Sequence, residues 1–245
     1  MNTKDSNIDL CAICGEKRVM TFEHIPPKSA FNNNPIFIQR HEHLIDRTSY
    51  LYGKKSKLNN GFGIKSLCSS CNNNTGQWYA NDYKNFAIQA DNYFNSYDGV
   101  LSSHKVDFEI KPLNVIKQIM AMFFSVNHNS GVFEKDVVEF MLNRYEKKLS
   151  SKYQVYMYFT YSPHKRLNGF QFIREASGEN VICSEFNFQP FGFVLTSNSK
   201  PPNHFMANIT KFTEFDFNQS VKLFIIAPYL DVKGTYNGTY NNIPK

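Results

Sequence analysis

No apolar run of membrane-spanning length occurs in the 245 residues, which excludes a helical membrane span. Met1 to Asp9 is polar and holds no signal-peptide core, so the expectation is a cytoplasmic chain with no membrane partner. There is no internal repeat, which sets solenoids and propellers aside. After residue 100 there is no phosphate-cradling loop, nucleophile motif or set of clustered metal ligands. Charge of one sign is modest: the net is +6, with a pI near 8.9. That permits nucleic-acid binding without demanding it. Cysteine is scarce, with five residues in all. Inside a cell such thiols are better read as metal ligands or buried hydrophobes than as disulfides.

What is present is enough for a packed core. Hydrophobic residues make up 42% and charged residues 20%, unlike a disordered chain. Twenty-three Phe and fourteen Tyr favour a sheet-rich interior. Residues 1–77 are loop-rich in Asn, Gly and Lys, and bury too little apolar surface to hold together without a staple. Periodicity near 3.6 predicts helices over Trp78–Tyr97, Leu113–Val126 with Pro112 at its start, and Phe133–Leu149. Strands are predicted over Tyr153–Tyr161, Gly169–Arg174, Asn180–Phe188, Phe191–Thr196 and Val221–Ala227. Strands without intervening helices favour an antiparallel sheet, so the fold class is α+β. The expected division is a zinc-bound module over 1–100, then helices packed on a mostly antiparallel sheet over 101–245. The second half carries no chemical signature, and a homodimer or protein-partner surface is its open role.

Four of the cysteines form two pairs, Cys11-Ala-Ile-Cys14-Gly15 and Cys68-Ser-Ser-Cys71-Asn72. Two residues between cysteines let both thiolates reach one ion from a tight turn, and two such turns supply four ligands for tetrahedral Zn²⁺. Four cysteines leave no open coordination position, so this zinc is structural. The fifth, Cys183, lies in an apolar stretch and reads as a buried small hydrophobe.

Between the pairs stands Thr21-Phe22-Glu23-His24-Ile25-Pro26-Pro27-Lys28, and Asn72-Asn73-Asn74 follows the last cysteine. Taken in order, CxxC, acid-His-apolar-x-Pro and Leu-Cys-x-x-Cys-Asn resemble the cysteine-containing HNH endonucleases of the ββα-metal (His-Me finger) superfamily. The ligand order is similar to the phage endonuclease VII type. The resemblance covers residues 11 to about 80, roughly a third of the chain. It implies a metal-dependent endonuclease acting on nucleic acid, DNA above RNA. His24 would be the general base that takes a proton from water. Glu23 and Asn72 would hold a catalytic Mg²⁺ or Mn²⁺, and Cys11, Cys14, Cys68 and Cys71 would hold structural zinc. Imidazole titrates near neutrality, and carboxylate and amide oxygens are hard ligands, so the residue types suit those roles. On a strand Glu23 and His24 point to opposite faces, so a bend is expected there.

The chain also departs from the family pattern. Relatives often have an asparagine about five residues before the third cysteine that orients the base; Gly63 stands there, with Asn59 and Asn60 nearby. The acid is Glu where Asp is commoner. His41-Glu42-His43 lies in the long segment between His24 and Cys68 and reads as surface loop before ligand. Arg40, Arg47, Lys54, Lys55, Lys57 and Lys65 face only Glu42 and Asp46 nearby, which marks a candidate phosphate-facing surface. A non-catalytic zinc module that binds nucleic acid or a protein is the alternative reading.

Overall fold

The structure is a computed structural model describing residues 7–40, 42–99, 101–128, 130–174, 178, 180–232 and 240–241. Its first elements are β1 (Ile8–Leu10), β2 (Lys17–His24), β3 (Ile36–Ile38), α1 (Glu42–Ile45), β4 (Ser56–Leu58), β5 (Gly63–Cys68) and α2 (Ser69–Thr75). Strands β1, β2 and β5 form a small sheet in which β2 is central and both pairings are antiparallel. β5 runs straight into α2, so the hairpin β2–β5 and the helix after it make one compact corner. His41, part of the His-Glu-His stretch, lies outside the described residues, as does most of the tail after Val232.

Helix α2 continues through a π-helical turn, Gly76–Ala80, into α3 (Asn81–Ser96). The predicted helix began at Trp78, because Ser69–Gly76 has no apolar period and consists of poor helix formers. Two constraints override that preference. Cys68 occupies the N-cap position in extended geometry, and the buried Cys71 fixes the first turn beside it.

Next come β6 (Ser103–Ile110), α4 (Pro112–Val126) and α5 (Lys135–Leu142). β6 is absent from the predicted set, although Ser-His-Lys-Val-Asp-Phe-Glu-Ile alternates strictly and His104, Val106, Phe108 and Ile110 point inward. Every residue of α4 from Pro112 to Ser125 is buried. A helix apolar nearly all round belongs in the middle of a protein, and α4 packs against α3, the π turn, β5 and the strands that follow.

Helix α5 stops at Leu142, short of the predicted Leu149. Lys117, itself fully buried in α4, donates through Nζ to the carbonyls of Phe140 and Asn143 (2.8 Å for Asn143) and so occupies the open carbonyl end of α5. Asn143 then turns the chain by accepting from the Tyr145 N–H at 3.1 Å.

The remaining elements are β7 (Tyr153–Phe159), β8 (Leu167–Arg174), β9 (Asn180–Phe188), β10 (Phe191–Ser197), β11 (Ala207–Asn208), a 3-10 turn (Thr210–Glu214), β12 (Val221–Pro228), β13 (Asp231–Val232) and β14 (Tyr240–Asn241). An antiparallel five-stranded sheet has the order β11-β7-β10-β9-β8. β12 does not join it; it pairs with β6 over its whole length. The class is therefore α+β with antiparallel sheets, as predicted. One continuous buried apolar cluster reaches from Cys11, Met20 and Leu67 through α3 and α4 to Phe193 and Ala227. Cys183 is fully buried, in a smaller cluster on the sheet with Tyr158 and Val194. Among the described residues no helix is long and apolar enough to cross a membrane.

Candidate metal centre and active site

The two cysteine pairs converge. The Sγ atoms of Cys11, Cys14, Cys68 and Cys71 all lie within 4.8 Å of one another, and Cys14 and Cys68 are 3.9 Å apart. A tetrahedral zinc with Zn–S bonds of about 2.3 Å separates its sulfurs by about 3.8 Å, so the set fits such an ion. Backbone bonds hold the cluster in shape. The first turn closes through Gly15 N–H to Cys11 O (2.9 Å) and Cys11 N–H to Glu16 O (3.0 Å). It is tied to β5 by Ala12 N–H to Ser66 O (2.8 Å), and the Cys68 N–H donates to Cys11 Sγ at 3.3 Å. Hydrogen bonding from Cys71 holds the Cys11 thiol well below the ordinary thiol range, and the same bond, with burial, pushes Cys71 up. Such a cluster needs a cation before all four sulfurs can ionise. Among the described residues it is the one group of three or more Cys, His, Asp or Glu side chains close enough to share an ion.

Strand β2 carries the next two candidates, and its shape is irregular. Its register against β5 shifts between Thr21 and Phe22. That bulge puts Met20 and Glu23 both on the buried side although they are three apart. The bend expected from the sequence is thus upstream of the pair. Glu23 is 8% exposed and makes no ion pair among the described residues, and burial pushes its carboxyl up to about 7. Neither Lys28 nor Arg18 pairs with it. His24 leaves the other side of the strand, half-buried, with its ring edge-on to Phe22 (centroids 4.9 Å).

His24 Nε2 lies 3.1 Å from the carbonyl oxygen of Asn60. A carbonyl can only accept, so Nε2 carries the proton and the neutral ring keeps its lone pair on Nδ1. The Asn60 backbone carbonyl therefore orients the His24 ring. Gly63 leaves no room for a side chain. It pairs with His24 across the hairpin, and a Cβ there would stand 2.3 Å from the Glu23 carbonyl oxygen and 2.5 Å from the Phe22 ring.

Asn72 sits in the first turns of α2 and reaches β2. Its Nδ2 donates to Thr21 Oγ1 (2.9 Å) and Phe22 O (3.3 Å), and among the described residues Oδ1 has no donor. The structure therefore brings Asn72 onto the strand one residue before Glu23, while Glu23 and His24 diverge from adjacent positions. Lys65 donates to Asn7 Oδ1 (2.9 Å), and Trp78 and Tyr79 pack into the core.

One residue of this corner has no signature in the sequence reading. Asn32 is fully buried, donates to Pro26 O and Phe62 O, and accepts from Phe62 N–H, each at 2.7 Å. It clips the turn after His24 to the loop that carries Asn60. Gly61, at φ +82°, is required by this clip, since a Cβ would stand 2.1 Å from the Asn32 carbonyl. Asn32→Ala strands the Pro26 carbonyl and the Phe62 N–H, whereas the Phe62 carbonyl keeps the Ile25 N–H at 3.1 Å, and urea unfolding should show a loss of about 2 kcal/mol. Wild-type stability would mean that water or local relaxation replaces the clip.

Glu23 gives a signed pH test. Burial pushes the folded carboxyl up to about 7 from its ordinary 4.5. Between those pH values the folded chain holds a proton that the unfolded chain has lost, so stability falls as pH rises through the window. The full penalty, about 3 kcal/mol, stands above pH 7. Glu23→Gln should therefore stabilise the protein by about 2–3 kcal/mol at pH 8 and change little at pH 4, in urea melts without added Mg²⁺ or Mn²⁺. Equal stability at pH 8 would show that water reaches the carboxylate.

Comparison of the chain with known protein families, with curated proteins and with solved structures finds no match.

Proposed function

We propose that the chain is an HNH-type endonuclease that hydrolyses phosphodiester bonds, in DNA before RNA, on a hairpin-and-helix corner stapled by zinc. The observation that carries this reading is the His24–Asn60 bond, which leaves Nδ1 of a half-exposed imidazole as a fixed base. In the reaction Nδ1 accepts a proton from the attacking water, and the Asn60 carbonyl stabilises the resulting imidazolium through the Nε2–H bond. Asn72 Oδ1 and the Glu23 carboxylate are the hard oxygens that would hold Mg²⁺ or Mn²⁺. Such an ion would supply charge neutralisation at the scissile phosphate and the leaving oxygen. Burial resists ionisation of Glu23, and a divalent cation held beside it would favour the carboxylate. The four thiolates stay out of the chemistry and keep β2, β5 and α2 in register.

The non-catalytic alternative draws on a different observation, the divergence of Glu23 and His24 from opposite sides of β2. Supercoiled plasmid incubated with zinc-loaded protein separates the two. Open circles forming only when Mg²⁺ or Mn²⁺ is added support the endonuclease, and no nicking with either ion overturns it.

A further inference from the structure

The segment between the Asn32 clip and Asn60 is unlike the rest of the protein. None of its described residues, 33–60, is buried. Phe37 is 68% exposed, Tyr50 93%, Tyr52 48% and Ile45 53%. Displaying rings in this way forfeits burial free energy, yet the segment is shaped. β3 pairs with β4 at Ile36↔Leu58, Phe37↔Lys57 and Ile38↔Ser56. Beyond that ribbon, Gly53 N–H donates to His43 O (2.7 Å), His43 Nδ1 lies 3.3 Å from Lys54 O, and Tyr52 N–H donates to Ser49 O (3.0 Å). The rings are thus held out on a formed arm.

The arm's charge is one-sided. Arg40, Arg47, Lys54, Lys55 and Lys57 stand against Glu42 and Asp46. Arg40 meets Glu42 at 3.6 Å, and among the described residues the other four cations make no ion pair. Phe37 and Lys57 are cross-strand partners, so a ring and an ammonium share one face. Both roots of the arm end at the candidate base: Asn32 clips one, and the other carries the Asn60 carbonyl that holds His24.

We propose that residues 33–60 grip an unpaired nucleic-acid strand, with the lysines and arginines on phosphates and Phe37, Tyr50 and Tyr52 stacked on bases. This deepens the endonuclease reading, on which it rests, by naming the form of the substrate beside His24. Base faces are covered inside a duplex and open in a single strand, a flap or a bulge, and every base offers one to an aromatic ring. Lysine is depleted at protein–protein interfaces, so a surface bearing Lys54, Lys55 and Lys57 fits polyphosphate better than another protein. An anionic membrane would share the charge preference but would have no reason to dock at His24.

The test is fluorescence anisotropy with zinc-loaded His24→Ala protein and no added Mg²⁺ or Mn²⁺. The probes are an oligothymidylate of about 20 nucleotides, a duplex of the same length and vesicles of phosphatidylcholine with phosphatidylserine. The single strand should bind at least about tenfold tighter than the duplex, and Tyr50→Ala should weaken it by about tenfold. The double substitution Lys54→Gln, Lys55→Gln should flatten the slope of log K against log salt by about 1.4. Thermal melts should not move, because none of these side chains is buried. The proposal is overturned if Tyr50→Ala binds like its parent, or if the duplex binds as tightly. It is equally overturned if vesicles bind and the oligonucleotide does not, or if light scattering shows a dimer that Tyr50→Ala dissociates. Plasmid nicking by the His24-containing protein is scored separately. Nicking without strand binding removes the grip and keeps the nuclease, whereas strand binding without nicking removes the nuclease and keeps the grip.

Discussion

His24→Ala is expected to reduce plasmid nicking by at least about a hundredfold, the usual worth of a positioned general base. Zinc content and thermal stability should stay at wild-type values. The side chain is half-exposed, bonds among the described residues only to the Asn60 carbonyl and rests on the Phe22 ring, so its removal creates no buried cavity. His24→Gln is the sharper companion. It keeps a polar side chain of similar reach and supplies no base near neutral pH, so nicking should stay low. Equal rates in wild type and either variant would take the base away from His24. A rate lost together with zinc would make the residue a structural part of the corner.

The second large effect belongs to the staple. Cys68→Ser removes one of four sulfurs at the point where β5 becomes α2, and the Cys68 backbone N–H also bonds to Cys11. Structural zinc contributes on the order of 10 kcal/mol to small domains, so the loss should exceed about 4 kcal/mol and fall mainly on residues 7–75. Zinc stoichiometry by mass spectrometry should drop from about one ion per chain to near none. Cys183→Ser, in the sheet, should keep its zinc. Full zinc loading and wild-type melting in Cys68→Ser would remove the cysteine cluster from the account of stability.

These expectations were unevenly legible in the sequence. The CxxC pairs announced themselves because metal geometry restricts ligand spacing, and α4 and strands β7 to β10 because burial writes its period into side chains. β6 lies outside the predicted set despite its clear alternation, and so do β1 to β5 and α1, which fall in the stretch read as loop-rich. Other features carry no side-chain signature. The group that fixes the His24 tautomer is the backbone carbonyl of Asn60, which any residue possesses. The bulge at Thr21/Phe22 is a matter of register, and neither residue reveals it. Asn32 acts on partners six and thirty residues away. Gly63 stood where the family pattern has a side chain, and only the hairpin explains it: the Glu23 carbonyl and the Phe22 ring already fill the space. The arm's cations were visible as charge, whereas its lack of burial emerged only from the fold.

The run of helix from Ser69 through the π turn to Ser96 joins the four-cysteine corner to a hydrocarbon interior, like the shank between a rivet and a plate. Force or fraying at one end is delivered to the other along a single backbone. The sole tryptophan of the chain, Trp78, sits in the joint, with the Arg144 guanidinium 5.7 Å from its ring. One indole therefore lies where the cysteine-lined corner meets the packed interior, so a change at either end is expected to alter its emission.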